Sequence, residues 1–259
     1  MPSVLSESRG RVREIVLNEP ARRNPLNVTL VTEFIAALRE AMADVDTTVV
    51  LLRAEGDSFC AGGDLKEFQR FRDKDATDIY EEGRGTTELL RLLGAYGKPI
   101  VAAINGPAYG GGFGIACACP LVIASEKARF GATELKLGLF PLVILPAMRA
   151  ALGDRKALEM SLLAEPIDAN EAHRLGIATR VVPHGDLLAE ARVVADRIGS
   201  FSPFAVRLGM EAYRNSTTMP QGVAEAYMNA LRVTFYHSED LREGATAFLE
   251  KRTPVWRGR

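Results

Sequence analysis

Two glycine-rich segments carry the strongest chemical signal in this chain. The first reads Ser58-Phe-Cys-Ala-Gly-Gly-Asp-Leu-Lys-Glu67 and the second Asn105-Gly-Pro-Ala-Tyr-Gly-Gly-Gly-Phe-Gly114, with Gly63 and Gly111 lying 48 residues apart. Each follows an apolar run of strand character, Val49-Val-Leu-Leu52 or Ile100-Val-Ala-Ala-Ile104, and each leads into a segment expected to be helical. Brought together, two such turns would aim backbone N–H groups from separate strands at one point. That arrangement stabilises an oxygen that becomes negative during a reaction, without any side chain. The chemistry it predicts is chemistry on a carbonyl. The second segment lacks the Gly-x-Gly-x-x-Gly register of a dinucleotide site, and no Gly-x-x-x-x-Gly-Lys-Ser/Thr phosphate loop occurs. No histidine is visibly paired with a cysteine or serine, so a nucleophile triad has little support.

The elements that would position these turns can be read from periodicity. In the front half, strands are expected at Val12–Leu17, Val49–Arg53, Ile100–Asn105 and Leu121–Ala124, and helices at Val28–Ala43 and over most of Asp75–Gly94. Leu30, Phe34, Leu38 and Met42 give the first helix its apolar face. This alternation predicts an α/β core with neighbouring strands. The back third is different. Asp154–Ala164, Ala169–Leu175, Asp186–Ile198, Pro203–Tyr213, Gln221–Phe235 and Glu239–Lys251 all have helical patterning, with Asp168 and Ser202 as N-caps. Helices this apolar need a surface to bury against, either the core or another subunit. A soft boundary is expected near Ser200, separating residues 1–199 from a helical region, 200–259.

Bulk composition narrows the classes further. The 259 residues suffice for one large domain or a domain with an appendage. A content of 47% hydrophobic and 25% charged residues is that of a soluble globular chain. The net charge of −1 gives no global electrostatic case for nucleic acid or an anionic membrane. Charges and glycines interrupt every apolar run before the roughly 18–20 residues that a membrane span needs. The first residues, Met1-Pro-Ser-Val-Leu-Ser-Glu-Ser8, carry no basic-plus-apolar leader. Cysteine is odd in number, and Cys117 and Cys119 sit in an apolar run, so reduced thiols and a cytoplasmic setting are expected. The three histidines, His173, His184 and His237, are widely spaced, and no metal site is expected from them.

Ser58–Glu67 and Asn105–Ala116, followed by Phe130-Gly-Ala-Thr-Glu-Leu-Lys-Leu-Gly138, resemble the crotonase family of acyl-CoA enzymes, the enoyl-CoA hydratases and isomerases. Further matches run along nearly the whole chain: Leu17-Asn-Glu-Pro20 with Asn24-Pro-Leu-Asn27, Glu165-Pro-Ile-Asp-Ala-Asn-Glu-Ala172 with Leu175–Val182, and Phe248-Leu-Glu-Lys251. No single motif is decisive; the ordered set is specific. The resemblance implies an α/β fold, a crotonase-like spiral of ββα repeats with a C-terminal helical oligomerisation region, and a homotrimer or a hexamer of two trimers. It also implies that the N–H groups of Gly63 and Gly111 hold the thioester oxygen. Glycine permits that close approach, and a helix starting near Gly111 would add its positive end. Loss of one such donor typically lowers rates about 100- to 1,000-fold. Around coenzyme A the resemblance places Ala61, Asp64, Leu65 and Lys66. Arg22 or Arg23 and Lys251 would approach the phosphates, with Phe248 and Lys251 reaching from a neighbouring subunit. Each of these cations taken alone is also ordinary surface charge, and Phe248 alone is also plain helix-face core. No cofactor is implied beyond the acyl-CoA substrate itself.

The carboxylates separate this chain from the family's hydratases. Those enzymes use two glutamates. The position of one is Glu134 here; the position of the other is Gly114. Glu134 is flanked by Leu135, Leu137, Leu139 and Phe140, and partial burial there would raise its pKa and improve it as an acid/base. One carboxylate can remove a proton from one carbon and return it to another, which moves a double bond. Adding water divides more easily between two carboxylates. The single glutamate therefore favours isomerisation. The tract Phe140-Pro-Leu-Val-Ile-Leu-Pro146 replaces the small, glycine-rich stretch of many hydratases, which predicts a drier pocket. Its walls are expected from Asp75–Gly94 and Phe140–Met148. Pro120 stands where many relatives have aspartate, a change with no functional account. Other readings are a hydratase with a divergent acid/base set, other enolate chemistry such as decarboxylation or ring opening, a non-catalytic acyl-CoA-binding relative, and a purely structural helical oligomer. A carboxylate at 134 argues against the binder, and the paired glycine turns argue against the structural oligomer.

Overall fold

Runs of valine, isoleucine and leucine bounded by glycine and proline build a central sheet whose strands are buried on both faces. The structure, a computed structural model, describes residues 1–70 and 73–259. In chain order its elements are β1 (Val4–Arg9), β2 (Val12–Leu17), α1 (Val28–Ala43), β3 (Val49–Ala54), α2 (Leu65–Arg70), α3 (Ala76–Gly94), β4 (Ile100–Ile104), β5 (Pro107–Tyr109), α4 (Gly111–Ala118), β6 (Leu121–Ser125), β7 (Arg129–Gly131), α5 (Leu145–Leu163), β8 (Ile167–Asp168), α6 (Ala169–Arg174), β9 (Arg180–Val182), α7 (Leu187–Gly199), α8 (Pro203–Ser216), α9 (Gln221–His237) and α10 (Glu239–Glu250).

The main sheet has the order β1-β2-β3-β4-β6-β9. Only the β1–β2 hairpin is antiparallel; the other pairings are parallel. Alternate residues of the central strands face two cores, as expected where both faces of a parallel sheet are covered. Val50 and Leu52 join the larger core with α1, α3 and α4, while Val49 and Leu51 join Val101, Ala103 and Ile123 against Leu187, Ala191 and Ala195 of α7. A second sheet, β5-β7-β8, stands beside the first. It is extended by single bridges, Cys60 to Ala108 and Leu26 to Gly63. The chain thus climbs repeatedly from the main sheet through a short second-layer strand into a helix, in agreement with the expected spiral.

The hairpin strand β1 was not apparent in the sequence, because Val-Leu-Ser-Glu-Ser-Arg lacks a clean apolar alternation; its register against β2 holds it, from Val4 opposite Leu17 to Arg9 opposite Val12. The helix expected from Asp154 begins earlier, at Leu145, and is broken at Gly153 (φ 74°, ψ 166°). Both expected caps form. Asp168 accepts from the Glu171 N–H at 2.8 Å, and Ser202 Oγ from the Ala205 N–H at 3.0 Å. Beyond Ser200 the helices pack mainly on one another. Arg214 ties α8 to the Tyr96 carbonyl of the core. Buried Asp240 gathers Ser202 Oγ at 2.5 Å and the Arg257 N–H at 2.8 Å. Among the described residues no helix is long and apolar enough to cross a membrane.

Candidate active site

The two glycine turns meet. A Cβ on Gly62 would lie 2.9 Å from the Tyr109 carbonyl oxygen and 3.5 Å from the Gly110 Cα, so the turns touch backbone to backbone. Gly62 (φ +94°) and Gly110 (φ +50°, ψ −122°) also hold conformations that residues with side chains rarely adopt. Hydrogen bonds fix the meeting. The Cys60 N–H donates to the Pro107 carbonyl at 3.2 Å, and the Tyr109 N–H to the Cys60 carbonyl at 2.9 Å. On the other side the Leu26 N–H donates to the Gly62 carbonyl at 2.8 Å, and the Ala61 N–H to the Arg23 carbonyl at 3.0 Å. Buried Asn24 braces this loop by donating to the carbonyls of Glu55 and Ser58, both at 3.0 Å. This explains physically why the Asn24–Asn27 stretch belongs with the glycine segments.

Gly63 and Gly111 follow directly after the contacting glycines. The Leu26 bridge uses the Gly62 carbonyl, and alternation along an extended chain turns the groups of Gly63 the other way. Gly111 opens α4, whose first intrahelical bond runs from the Gly114 N–H to the Gly110 carbonyl at 3.0 Å. The N–H groups before it are free of helix partners, at the positive end of the helix. Space around both is tight: a Cβ on Gly63 would lie 2.4 Å from the Phe68 ring, and one on Gly111 would lie 2.4 Å from Leu26 Cδ1. Neither Phe68 nor Leu26 was singled out by sequence, since neither carries reactive chemistry.

Glu134 is brought to the same place. The Gly110 N–H donates to the Gly131 carbonyl at 2.9 Å, which docks β7 on the second turn; three residues later Glu134 opens a short 3-10 turn, Glu134–Leu137. Its Oε1 lies 3.3 Å from where a Gly110 Cβ would stand. Its Oε2 is buried without a hydrogen-bond partner among the described residues. Burial pushes the Glu134 carboxyl pKa up. The expected direction is therefore right, but the expected neighbours are not. Leu135, Leu137 and Leu139 are exposed; the glycine turn covers the carboxylate.

Position 114 is filled from elsewhere. Residue 114 sits within α4, one turn on from the N-cap Gly110 against which the Glu134 carboxylate lies. A Cβ there would fall 2.5 Å from Ile144 Cγ2, 2.9 Å from Ile144 Cβ and 3.4 Å from Leu90 Cδ1. Ile144 is buried, whereas its tract neighbours Leu142 and Val143 are exposed. A surface cavity of about 620 Å³ is lined by α3 residues from Ile79 to Arg91 and by Val143; neither Glu134 nor the glycine turns line it.

The residues expected around coenzyme A divide into two groups. Ala61, Leu65 and Lys66 are exposed at the mouth of the first turn. Asp64 is buried and structural in its contacts: Oδ1 accepts from the Lys66 N–H at 2.9 Å, and the carboxylate pairs with Arg22. Arg22 also meets Glu19 Oε2 at 3.2 Å and is half exposed. Phe248 and Lys251, at the end of α10, are exposed, and no hydrogen bond or ion pair among the described residues joins them to the glycine turns. Among the described residues no group of three or more His, Cys, Asp or Glu side chains is arranged as a metal-ligand set. Burial raises the thiol pKa of Cys60 and of Cys119 to about 12 each, so both stay protonated.

The two glycine turns touch beside one half-buried carboxylate, Glu134, whose pKa burial raises. Comparison with known proteins gives the family. The chain matches the enoyl-CoA hydratase/isomerase family over residues 7–259 and belongs to it. It is 33% identical over 260 residues to the 2,3-dehydroadipyl-CoA hydratase of Escherichia coli, covering 100% of each chain. It is 34% identical over 248 residues to the mitochondrial enoyl-CoA hydratase domain-containing protein 3 of Rattus norvegicus, covering 95% of this chain and 81% of the relative. The crystal structure of an enoyl-CoA hydratase from Bacillus anthracis superposes with a TM-score of 0.93 at 30% identity, over 99% of this chain and 100% of that one. The protein is thus an enzyme of the crotonase fold.

Proposed function

We propose that this enzyme moves a double bond in an enoyl-CoA thioester, with Glu134 as the single proton carrier. The observation that supports it most directly is the pairing of a buried, partner-free Glu134 oxygen with a filled space at Gly114. In a 3-enoyl thioester, the Glu134 carboxylate takes a proton from C2. The electrons move into the conjugated system and onto the thioester oxygen, which accepts hydrogen bonds from the Gly63 and Gly111 N–H groups. Protonated Glu134 then returns the proton to C4, leaving a 2-enoyl thioester and the starting carboxylate. A raised pKa suits both halves of this shuttle.

Coenzyme A would lie across Ala61, Leu65 and Lys66, with Arg22 near its phosphates and Asp64 holding Arg22 and α2 in place. Phe248 and Lys251 would serve a neighbouring subunit in a homotrimer or hexamer, with residues 200–259 as the assembly region. Their exposure within one chain supports this. The names of the relatives favour a second reading, hydration. Incubation with a 3-enoyl-CoA and with crotonyl-CoA decides between them, with the ultraviolet absorbance of the conjugated 2-enoyl thioester reporting isomerisation and mass gain reporting water addition. The first reading expects a 2-enoyl product without mass gain, abolished in Glu134→Gln. Efficient formation of a 3-hydroxyacyl-CoA would establish hydration instead.

A further inference from the structure

We infer that Ile144 is the residue that sets the reaction of this enzyme, by occupying the volume a second carboxylate would need; the inference rests on the single-carboxylate function proposed above. Gly114 and Ile144 lie far apart in sequence and in direct contact in the fold. The ideal Gly114 Cβ falls 2.5 Å from Ile144 Cγ2 and 2.9 Å from Ile144 Cβ, closer than real Cβ atoms approach other atoms. The nearest obstruction is thus a β-branched side chain, whose χ1 is stiff. Swinging it aside is further opposed by its burial in the core cluster beside Leu90 and Met148. Ile144 also directly precedes the first turn of α5, where the Met148 N–H donates to its carbonyl at 3.0 Å. The backbone that carries it is therefore anchored.

Glycine at 114 is accordingly one half of a complementary pair. Any side chain at 114 overpacks against Ile144, and shortening Ile144 alone opens an apolar void. Residue 114 belongs to the helix that Gly110 caps, and the Glu134 carboxylate lies against that cap. A carboxylate entering the void from 114 would be the second acid/base that water addition uses. With Ile144 in place, that space holds neither a carboxylate nor the water it would activate.

A double-substitution cycle tests this at fixed protein concentration. Gly114→Ala and Gly114→Glu are each made alone and with Ile144→Ala. In the wild-type background each is expected to lower Tm by roughly 3–8 °C without gain of hydration. In the Ile144→Ala background, Gly114→Ala is expected to lower Tm by less than half as much. Gly114→Glu combined with Ile144→Ala is expected to hydrate crotonyl-CoA at least about tenfold faster than Ile144→Ala alone. Unchanged Tm in both single variants at 114 would show that Ile144 does not block the position. A folded double variant with no gain of hydration would show that the blocked volume is not the site of a missing acid; either result overturns the inference. Glu134→Gln is measured alongside. If it keeps wild-type turnover, the proposed shuttle fails, whereas the Tm arms still report on the packing of 114 against 144.

Discussion

At the scale of single residues, Glu134 carries an unusual burden, because it is half-buried and one of its oxygens is buried without a partner among the described residues. Its folded-state pKa lies above the ordinary glutamate value, so the folded protein holds the proton more tightly than the unfolded chain does. Stability contributed by this group is therefore lost as pH rises from the ordinary glutamate range through the raised value. Glu134→Gln should abolish that loss. Melting curves from about pH 4 to pH 8 are expected to show the variant gaining on the wild type as pH rises, with the two converging in acid. Activity has the opposite sign, since a base must be deprotonated: the acid limb of the rate profile should lie above the ordinary glutamate range. Gly63, Gly111 and Glu134 were singled out in the sequence by the resemblance to the crotonase family, and the structure brings the two glycine turns and Glu134 side by side. Ile144 was not, because it carries no reactive group and its direction is decided by the start of α5.

At the scale of elements, short helix α2 depends on one side chain. Asp64 accepts from the Lys66 N–H, and its backbone carbonyl accepts from the Glu67 and Phe68 N–H groups. Its carboxylate also holds Arg22, so two of the candidate coenzyme-binding segments share one anchor. Asp64→Ala should remove about 1 kcal/mol of capping and lower Tm by roughly 2–4 °C. It is expected to raise KM for acyl-CoA while leaving kcat within about twofold of wild type, because Glu134 and the glycine N–H groups keep their places. Steady-state kinetics with a single thioester measures this; a loss confined to kcat would count against the assignment. The long strands β3, β4 and β6 were readable as continuous apolar runs. Strands β5, β7 and β8, two or three residues each, were not, because pairing across the second sheet holds them and local sequence does not.

At the scale of the molecule, much apolar surface is left uncovered in one chain. Leu137, Leu142, Leu162, Val233, Phe248 and Leu249 are all more than half exposed, in four separate stretches of sequence. Dispersed single residues need no explanation, but clustered ones usually meet a partner. Sedimentation equilibrium at micromolar concentration is expected to give the mass of three or six chains. Dilution into the monomer should weaken acyl-CoA binding if Phe248 and Lys251 complete a neighbour's site. A stable, fully active monomer would contradict that assembly. The α/β core and the helical tail were foreseeable from patterning, whereas the face each helix turns outward depends on packing that no local pattern encodes. One buried atom gives the molecule a further property. The Cys60 sulfur lies behind the second turn, 3.0 Å from where a Gly112 Cβ would stand, on a residue whose carbonyl holds the Tyr109 N–H. An oxidant or alkylating agent can reach that thiol only after the two turns part, so any chemical mark on Cys60 records that the reaction centre has come undone.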